Sequence, residues 1–395
     1  MDMEQETTIL IEDTGAGLAV FGELPVARLR ADLAALGAGV RVVGPAESLS
    51  AEEVGTLVLL RSDSVYEKGT LRKLIGWERD AVVLETGVAL AVVLTGADGG
   101  RLQTARQCLR GGEVDGSAGI EPITVADLGS SYNFALRKTE PPFAVAVANA
   151  ESRERAERRI YAATYKGVTD LVTKYVWPEP AFRLTRLFLR GGIHPNTVTL
   201  VSAVFMLGAL WLFWEGLFAA GLLCGWIMAL LDTVDGKMAR VGGTASKFGE
   251  IFDHGIDLLH PPFWYVAWLY GLAAVGQPVP EGWTGPIIGL IFGTYIGARV
   301  FEGYFIRRFG FHIHVWRRFD SFFREIVARR NPNLILLSVG TLLGRPDYGL
   351  YALVVWQCFA VVVHLIQTIQ AEWAQSRGGV LRSWLQARAE AEGTA

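Results

Sequence analysis

The sequence predicts a two-part chain, a soluble Rossmann-like α/β domain followed by an all-α transmembrane domain of six helices. Three observations carry that reading. Strand-sized apolar runs alternate with amphipathic stretches up to about residue 150. Beyond Pro195 the apolar segments lengthen to membrane-spanning size. Lysine and arginine collect in alternate connections between those segments. Composition agrees: 37 Lys+Arg against 40 Asp+Glu give a net charge of −3, which excludes a globally basic nucleic-acid binder. With 51% hydrophobic and 19% charged residues the chain is too apolar for disorder. A mean hydropathy of +0.30 points to partial solvation by lipid. Cys108, Cys224 and Cys358 are too far apart for a disulfide framework or a metal knuckle.

In chain order, the start MDMEQETTILIED is acidic and lacks the basic region and apolar core of a signal peptide, so the first segment is expected to stay in the cytoplasm. Apolar runs at Thr8–Ile11, Gly17–Phe21, Val40–Val43, Thr56–Leu60, Ala81–Leu84 and Ala89–Leu94 read as strands. Val26–Leu36 and Thr70–Trp77 read as helices between them, which favours a mostly parallel sheet. Gly96–Gly100 and Gly111–Gly119 read as surface turns. Residues 151–164 are charged and helix-favouring. From Tyr165 to Arg190 aromatic residues (Trp177, Phe182, Phe188) interleave with Lys166, Lys174, Arg183, Arg186 and Arg190, as in a helix lying at a membrane interface or in a soluble amphipathic linker. The domain boundaries follow as 1–150, 151–192 for the connecting and interfacial helices, 193–372 for the membrane domain and 373–395 for a cytoplasmic tail.

Spans are expected at Asn196–Leu217, Phe218–Ala239, Phe248–Val275, Ile287–Ile306, Asn333–Leu343 and Leu350–Ile369, the fifth being short for a crossing. The turns near Glu215 and Gln277–Trp283 hold no Lys or Arg, and Gly344–Gly349 holds only Arg345. The opposite connections hold Lys247 and then Arg307, Arg308, Arg317, Arg318, Arg324, Arg329 and Arg330. That bias places the arginine-rich side and both termini in the cytoplasm of an integral membrane protein of bacterial inner-membrane type.

Four carboxylates stand where a membrane protein can least accommodate them. Asp232 and Asp235 are three apart, Asp253 and Asp257 four apart, so each pair shares a helix face. A short loop joins the two helices, which brings the four acids together at the cytoplasmic edge of the bilayer. Their mutual repulsion and desolvation cost are most simply relieved by divalent cations, two in number. Carboxylate oxygens are hard ligands that suit Mg²⁺ or Mn²⁺ rather than zinc. Gly236, Ala239 and Gly249 either permit close helix packing or let a base or diphosphate approach the backbone. Arg240 is placed for phosphate oxygens.

The pattern Asp232-x2-Asp235-Gly236-x2-Ala239-Arg240-x8-Gly249-x3-Asp253-x3-Asp257 resembles, at every fixed position, that of the CDP-alcohol phosphotransferase family. The resemblance runs from about Lys166 to His364 and includes the Pro195-Asn196-x2-Thr199 start of the first span. It implies a six-helix membrane enzyme, usually a homodimer, that moves a substituted phosphate from a CDP-alcohol to an acceptor hydroxyl and releases CMP. Phospholipid or related lipid synthesis is the implied setting, with CDP-diacylglycerol or a similar CDP-linked donor. It also implies that Asp232, Asp235 and Asp253 hold the metals and that Asp257 reaches them as the base. Asp232, Gly236, Ala239, Arg240 and Gly249 would contact CDP. The competing expectation is a catalytically silent membrane scaffold or metal-binding carrier that keeps the acidic site.

Weaker candidates surround this motif. Arg299 and Glu302 lie near the cytoplasmic end of the fourth span, either functional or paired with each other; Arg299 and Arg307 are the candidates for acceptor binding. His254 and His260 read as packing or supporting residues, and His312 and His314 as exposed. The Arg307–Arg330 loop reads as headgroup contact or as a holder of a phosphorylated acceptor such as glycerol phosphate or inositol phosphate. The N-terminal domain distantly resembles sugar-phosphate nucleotidyltransferases through Phe21-Gly22-Glu23-Leu24-Pro25-Val26 and Leu57-Val58-Leu59-Leu60-Arg61-Ser62-Asp63. It departs from them at Glu12-Asp13-Thr14-Gly15-Ala16-Gly17, which lacks the Gly-rich triphosphate loop with its basic residue, and at Val26, where that family has lysine. A degenerate domain, with Asp63 as a remnant metal ligand or a cap, is the expectation.

Overall fold

The computed structural model describes residues 7–37, 40–43, 55–96, 98–111, 119–133, 136–243 and 247–391; for 40–43, 247–254, 256 and 257 it gives the backbone course alone. The chain divides into two compact units, one running to Tyr165 apart from residues 135–138, the other formed by those four residues and 166–391. The turn proposed at Gly111–Gly119 and part of that at Gly96–Gly100 lie outside the described residues.

In the first unit the strands are β1 (Thr7–Glu12), β2 (Val40–Val43), β3 (Thr56–Arg61), β4 (Ser64–Tyr66), β5 (Ala81–Glu85), β6 (Val88–Thr95), β7 (Glu121–Thr124), β8 (Ser131–Asn133), β9 (Lys138–Glu140) and β10 (Ala144–Ala146). The helices are α1 (Pro25–Leu36), α2 (Lys68–Ile75), α3 (Gly99–Leu109) and α4 (Ala150–Ala163). Six strands form one sheet in the order β2-β1-β3-β6-β5-β7, with β4–β10 and β8–β9 as small pairs. Alternation along the strands divides the core between two faces. Ile9, Ile11, Val58 and Leu60 pack with Leu29 and Leu33 of α1, whereas Leu10, Leu57 and Leu59 pack with Ala105 and Leu109 of α3. The sheet is mixed rather than mostly parallel: β1–β2, β1–β3 and β5–β7 are parallel, but β3–β6 and β5–β6 are antiparallel. The cause is local. Thr86 (φ 50°) and Gly87 (φ 79°) both take positive φ, the geometry of a two-residue hairpin turn, so β5 folds straight back into β6 with no crossover helix.

The second unit is helical: α5 (Pro178–Arg190), α6 (Pro195–Trp214), α7 (Phe218–Val241), α8 (Lys247–Gly271), α9 (Thr284–Phe309), α10 (Arg318–Ile326), α11 (Arg330–Leu342), α12 (Pro346–Ser376) and α13 (Trp384–Ala391). The interfacial stretch is not one helix. A π turn at Val172–Val176 precedes α5, which starts at Pro178 because proline has no N–H to lose at a first turn. A helix stands at each of the six proposed spans, but among the described residues four, α6, α7, α9 and α12, are long and apolar enough to cross a membrane. At 13 residues α11 is too short for a straight crossing.

Aromatic residues knit α6 and α8 together. The Phe213 ring lies 5.7 Å from Trp264 and 4.9 Å from Trp268. Each indole N–H is satisfied across a helix boundary, Trp264 by the Met206 carbonyl and Trp268 by the Pro346 carbonyl, both at 3.0 Å. Gly271 allows this closeness, since a Cβ there would lie 1.9 Å from the Phe213 carbonyl oxygen. Gly271→Ala must push the end of α8 off α6, at a cost of roughly 1–3 kcal/mol for overpacking. Thermal unfolding in detergent is expected to come about 5 °C earlier; an unchanged transition would refute the contact.

Candidate active site

On α7, Asp232, Asp235, Gly236, Ala239 and Arg240 follow the spacing i, i+3, i+4, i+7, i+8, which makes them one stripe of the helix. Asp235 is 2% exposed, yet its carboxylate is well supplied with donors. Thr199 Oγ1 of α6 donates to Oδ2 at 2.7 Å, and the Gly236 N–H lies 2.5 Å from Oδ1. One turn back, Arg330 Nη2 donates to Asp232 Oδ2 at 2.6 Å. A Cβ at Gly236 would sit 3.6 Å from Arg240 Nη2, so the guanidinium lies over that glycine. Gly249, Asp253 and Asp257 fall within α8, but they and His254 belong to the positions of which only the backbone course is given, so the meeting of all four acids lies outside the described residues.

Beside this stripe the structure assembles a second polar group that the sequence disclosed only in pieces. Arg329 and Arg330 are consecutive at the start of α11, yet they reach different helices. Arg330 takes Asp232, while Arg329 Nη2 donates to Glu302 Oε2 of α9 at 2.5 Å. Arg299 Nη1 shares that oxygen at 3.1 Å, so Arg299 and Glu302 do pair, three residues apart. The other oxygen, Oε1, faces His314 Nε2 at 3.3 Å and His364 Nε2 at 3.8 Å. His314 is 3% exposed, which corrects the expectation that both loop histidines are exposed. The loop turns inward as a short 3₁₀ segment at Ile313–Val315, and Ser321 Oγ holds the His314 carbonyl at 2.8 Å. His312 and Arg307 do lie at the surface. Tyr295, Arg299, Glu302, Arg329, Gln357 and His364 line a small pocket here. Positive charge dominates the surroundings. Lys166 keeps surface exposure, yet partial desolvation pushes its amine down to about 8, and Arg137, Arg240, Arg324 and Arg329 push the same way.

Residues 192–322, from the approach to α6 through the start of α10, match the family model of CDP-alcohol phosphatidyltransferases. That segment is similar to CDP-alcohol phosphatidyltransferases. The chain is 37% identical over 91 residues to a phosphatidylinositol phosphate synthase of Mycobacteroides abscessus, covering 23% of this chain and 41% of that protein. It is 32% identical over 99 residues to an archaetidylinositol phosphate synthase of Pyrococcus horikoshii, covering 25% and 50% respectively. The chain thus spans half or less of the length of these two curated relatives. Among solved structures it is similar to a Mycobacterium tuberculosis phosphatidylinositol phosphate synthase with CDP-DAG bound, at 23% identity and a TM-score of 0.35, covering 48% of this chain and 92% of that one.

The whole α7 stripe lies inside the matched segment, whereas Arg329 and Arg330 lie beyond it. In the first unit, Asp63 is engaged by protein donors. Arg61 grips both its oxygens at 2.9 and 2.7 Å, and Thr14 and Ser64 hydroxyls add bonds of 2.8 and 3.1 Å. Burial alone would raise the Asp63 pKa, but these bonds and the Arg61 charge hold it below the usual carboxylate range. Glu12, at the end of β1, is likewise taken by Arg106 at 3.2 Å and Arg110 at 2.5 Å.

Proposed function

We propose that this chain transfers a substituted phosphate from a CDP-alcohol, CDP-diacylglycerol or a related CDP-linked lipid, to an acceptor hydroxyl and releases CMP. The carrying observation is the unbroken acidic motif inside the matched segment, with Asp232 and Asp235 on one stripe of α7. The setting we infer is a six-helix integral membrane domain working as a homodimer in phospholipid synthesis. Its active site and both termini face the cytoplasm.

The residues present suit a divalent ion: Asp232, Asp235, Asp253 and Asp257 offer hard oxygen ligands, and the buried Asp235 carboxylate is already oriented by hydrogen bonds. A pair of Mg²⁺ or Mn²⁺ ions bound there would neutralise charge on the diphosphate and on the departing CMP. Gly236, Ala239 and Gly249 leave room for the cytidine and diphosphate, and Arg240 binds phosphate oxygens in the bidentate manner of guanidinium. Asp257 accepts the proton of the acceptor hydroxyl, whose oxygen attacks the phosphorus distal to cytidine. The bond from that phosphorus to the bridging oxygen breaks, and CMP leaves with the electron pair. The first unit, with Asp63 and Glu12 tied up by arginines, serves as a degenerate nucleotidyltransferase-like domain in structure, regulation or delivery.

The acceptor we infer is a phosphorylated polyol of the inositol phosphate class. Arg299, Arg329, Arg330 and Lys166 supply positive charge for its phosphate, and the synthases to which the chain is similar are named for such products. The test gives purified full-length protein CDP-diacylglycerol, Mn²⁺ and a panel of free and phosphorylated polyols. CMP release is expected together with a lipid product whose mass includes the phosphorylated acceptor. Mn²⁺ binding without CMP from any CDP-alcohol would leave only the carrier reading. Because an anion favours protonated Lys166, acceptor affinity should hold below about pH 8 and weaken above it as the amine loses its proton. Lys166→Gln should remove that alkaline rise in acceptor KM; an identical pH profile in the variant would exclude Lys166 from the site.

A further inference from the structure

Thr199 completes the Pro195-Asn196-x2-Thr199 start of α6, and the reaction above gives it no task. Its position supplies one. The hydroxyl lies 2.7 Å from Asp235 Oδ2 and 3.2 Å from the Pro195 carbonyl oxygen. A threonine has a single proton to give, and the carboxylate is both the nearer acceptor and the charged one, so the bond to Asp235 takes it. Asp235 Oδ1 meanwhile faces the Gly236 N–H at 2.5 Å. A donor on each oxygen restrains the orientation of the Asp235 carboxylate. A carboxylate has about four acceptor positions, more than these two bonds fill.

The same helix repeats the device one turn on, where Ser202 Oγ donates to the Met228 carbonyl at 3.2 Å. Two hydroxyls at i and i+3 of α6 therefore set its register against α7, and the one at Thr199 lands on a carboxylate of the acidic stripe. The contrast with Asp232 is chemical. Arg330 brings a full positive charge to that carboxylate, which opposes a cation even as it orients the ligand. The Thr199 hydroxyl is neutral and orients Asp235 without bringing a positive charge of its own.

We propose that Thr199 is the positioning residue of Asp235, holding the carboxylate in its ion-binding rotamer before the ion arrives. The proposal rests on the reading of Asp235 as a ligand of a divalent cation. Partners that orient metal-binding carboxylates typically contribute about 10–100-fold to metal affinity.

The experiment measures Mn²⁺ affinity directly, from the electron paramagnetic resonance signal of free Mn²⁺, on full-length protein in detergent without nucleotide. Thr199→Val, which keeps the shape and loses the donor, is expected to raise the Kd for Mn²⁺ about 10–100-fold, while Thr199→Ser stays within about threefold of the parent. Thr199→Cys, a weaker donor, should fall between them and provides the measurement should the valine variant not fold. Asp235→Asn should abolish the tight site. Wild-type affinity in the valine or cysteine variant, with the site lost in Asp235→Asn, would overturn the proposal alone. Unchanged Mn²⁺ binding in Asp235→Asn would overturn the reading beneath it.

Discussion

Asp257→Asn is expected to lower CMP release by about 10³-fold, within the range of roughly 10²–10⁴ that a positioned general base contributes. Asparagine keeps the size of the side chain and can still offer one oxygen to an ion, but it cannot take a proton from the acceptor hydroxyl. Binding of the CDP-linked donor should therefore persist, measurable as retained protection of the protein against thermal unfolding by CDP-diacylglycerol. The combination separates the enzyme from a metal-binding carrier, in which no step involves proton removal. The measurement is single-turnover CMP release at saturating donor and Mn²⁺. Wild-type turnover in the variant would remove Asp257 from the role of base, and loss of donor protection together with turnover would assign it to binding.

How much of this was legible in the sequence depends on the range over which each signal acts. The α7 stripe was legible because its residues lie three or four apart on one helix, and helical periodicity alone assembles them. Helix positions were legible for a similar reason, since a crossing needs a long apolar run that little else in a sequence imitates. The sheet order was not. Whether β6 runs parallel or antiparallel to β5 turns on two residues, Thr86 and Gly87, and Thr-Gly is a weaker hairpin signal than Asn-Gly or Asp-Gly. Tertiary partners were the least legible. Glu302 reads as a local partner for Arg299, but its shorter bond goes to Arg329, 27 residues on, and its second oxygen faces two imidazoles from other segments. His314 looked exposed because its neighbours Arg317 and Arg318 are charged, yet the chain reverses there and buries it. Adjacent Arg329 and Arg330 read as a single charge run, and the structure divides them between Glu302 and Asp232.

That division makes the loss of Glu302 costly for the fold. Its side chain is 15% exposed and takes Arg329 at 2.5 Å and Arg299 at 3.1 Å on a single oxygen. Removing one member of a buried ion pair leaves the other desolvated and unpaired, at a cost of about 3–5 kcal/mol; with both arginines 27% exposed, water recovers part of this and about 2–4 kcal/mol is the expected loss for Glu302→Ala. For a unit of this size such a loss is an unfolding transition about 10 °C lower. The effect should reach the acceptor. Arg329 set free from Glu302 loosens the start of α11, so the KM for a phosphorylated acceptor should rise while that for the CDP-linked donor holds. Combining Glu302→Ala with Arg329→Met tests the cause, because the stranded charge is then gone and stability should partly return. A double variant as unstable as the sum of the two single ones would mean that Glu302 acts through packing and that its bond to Arg329 contributes nothing.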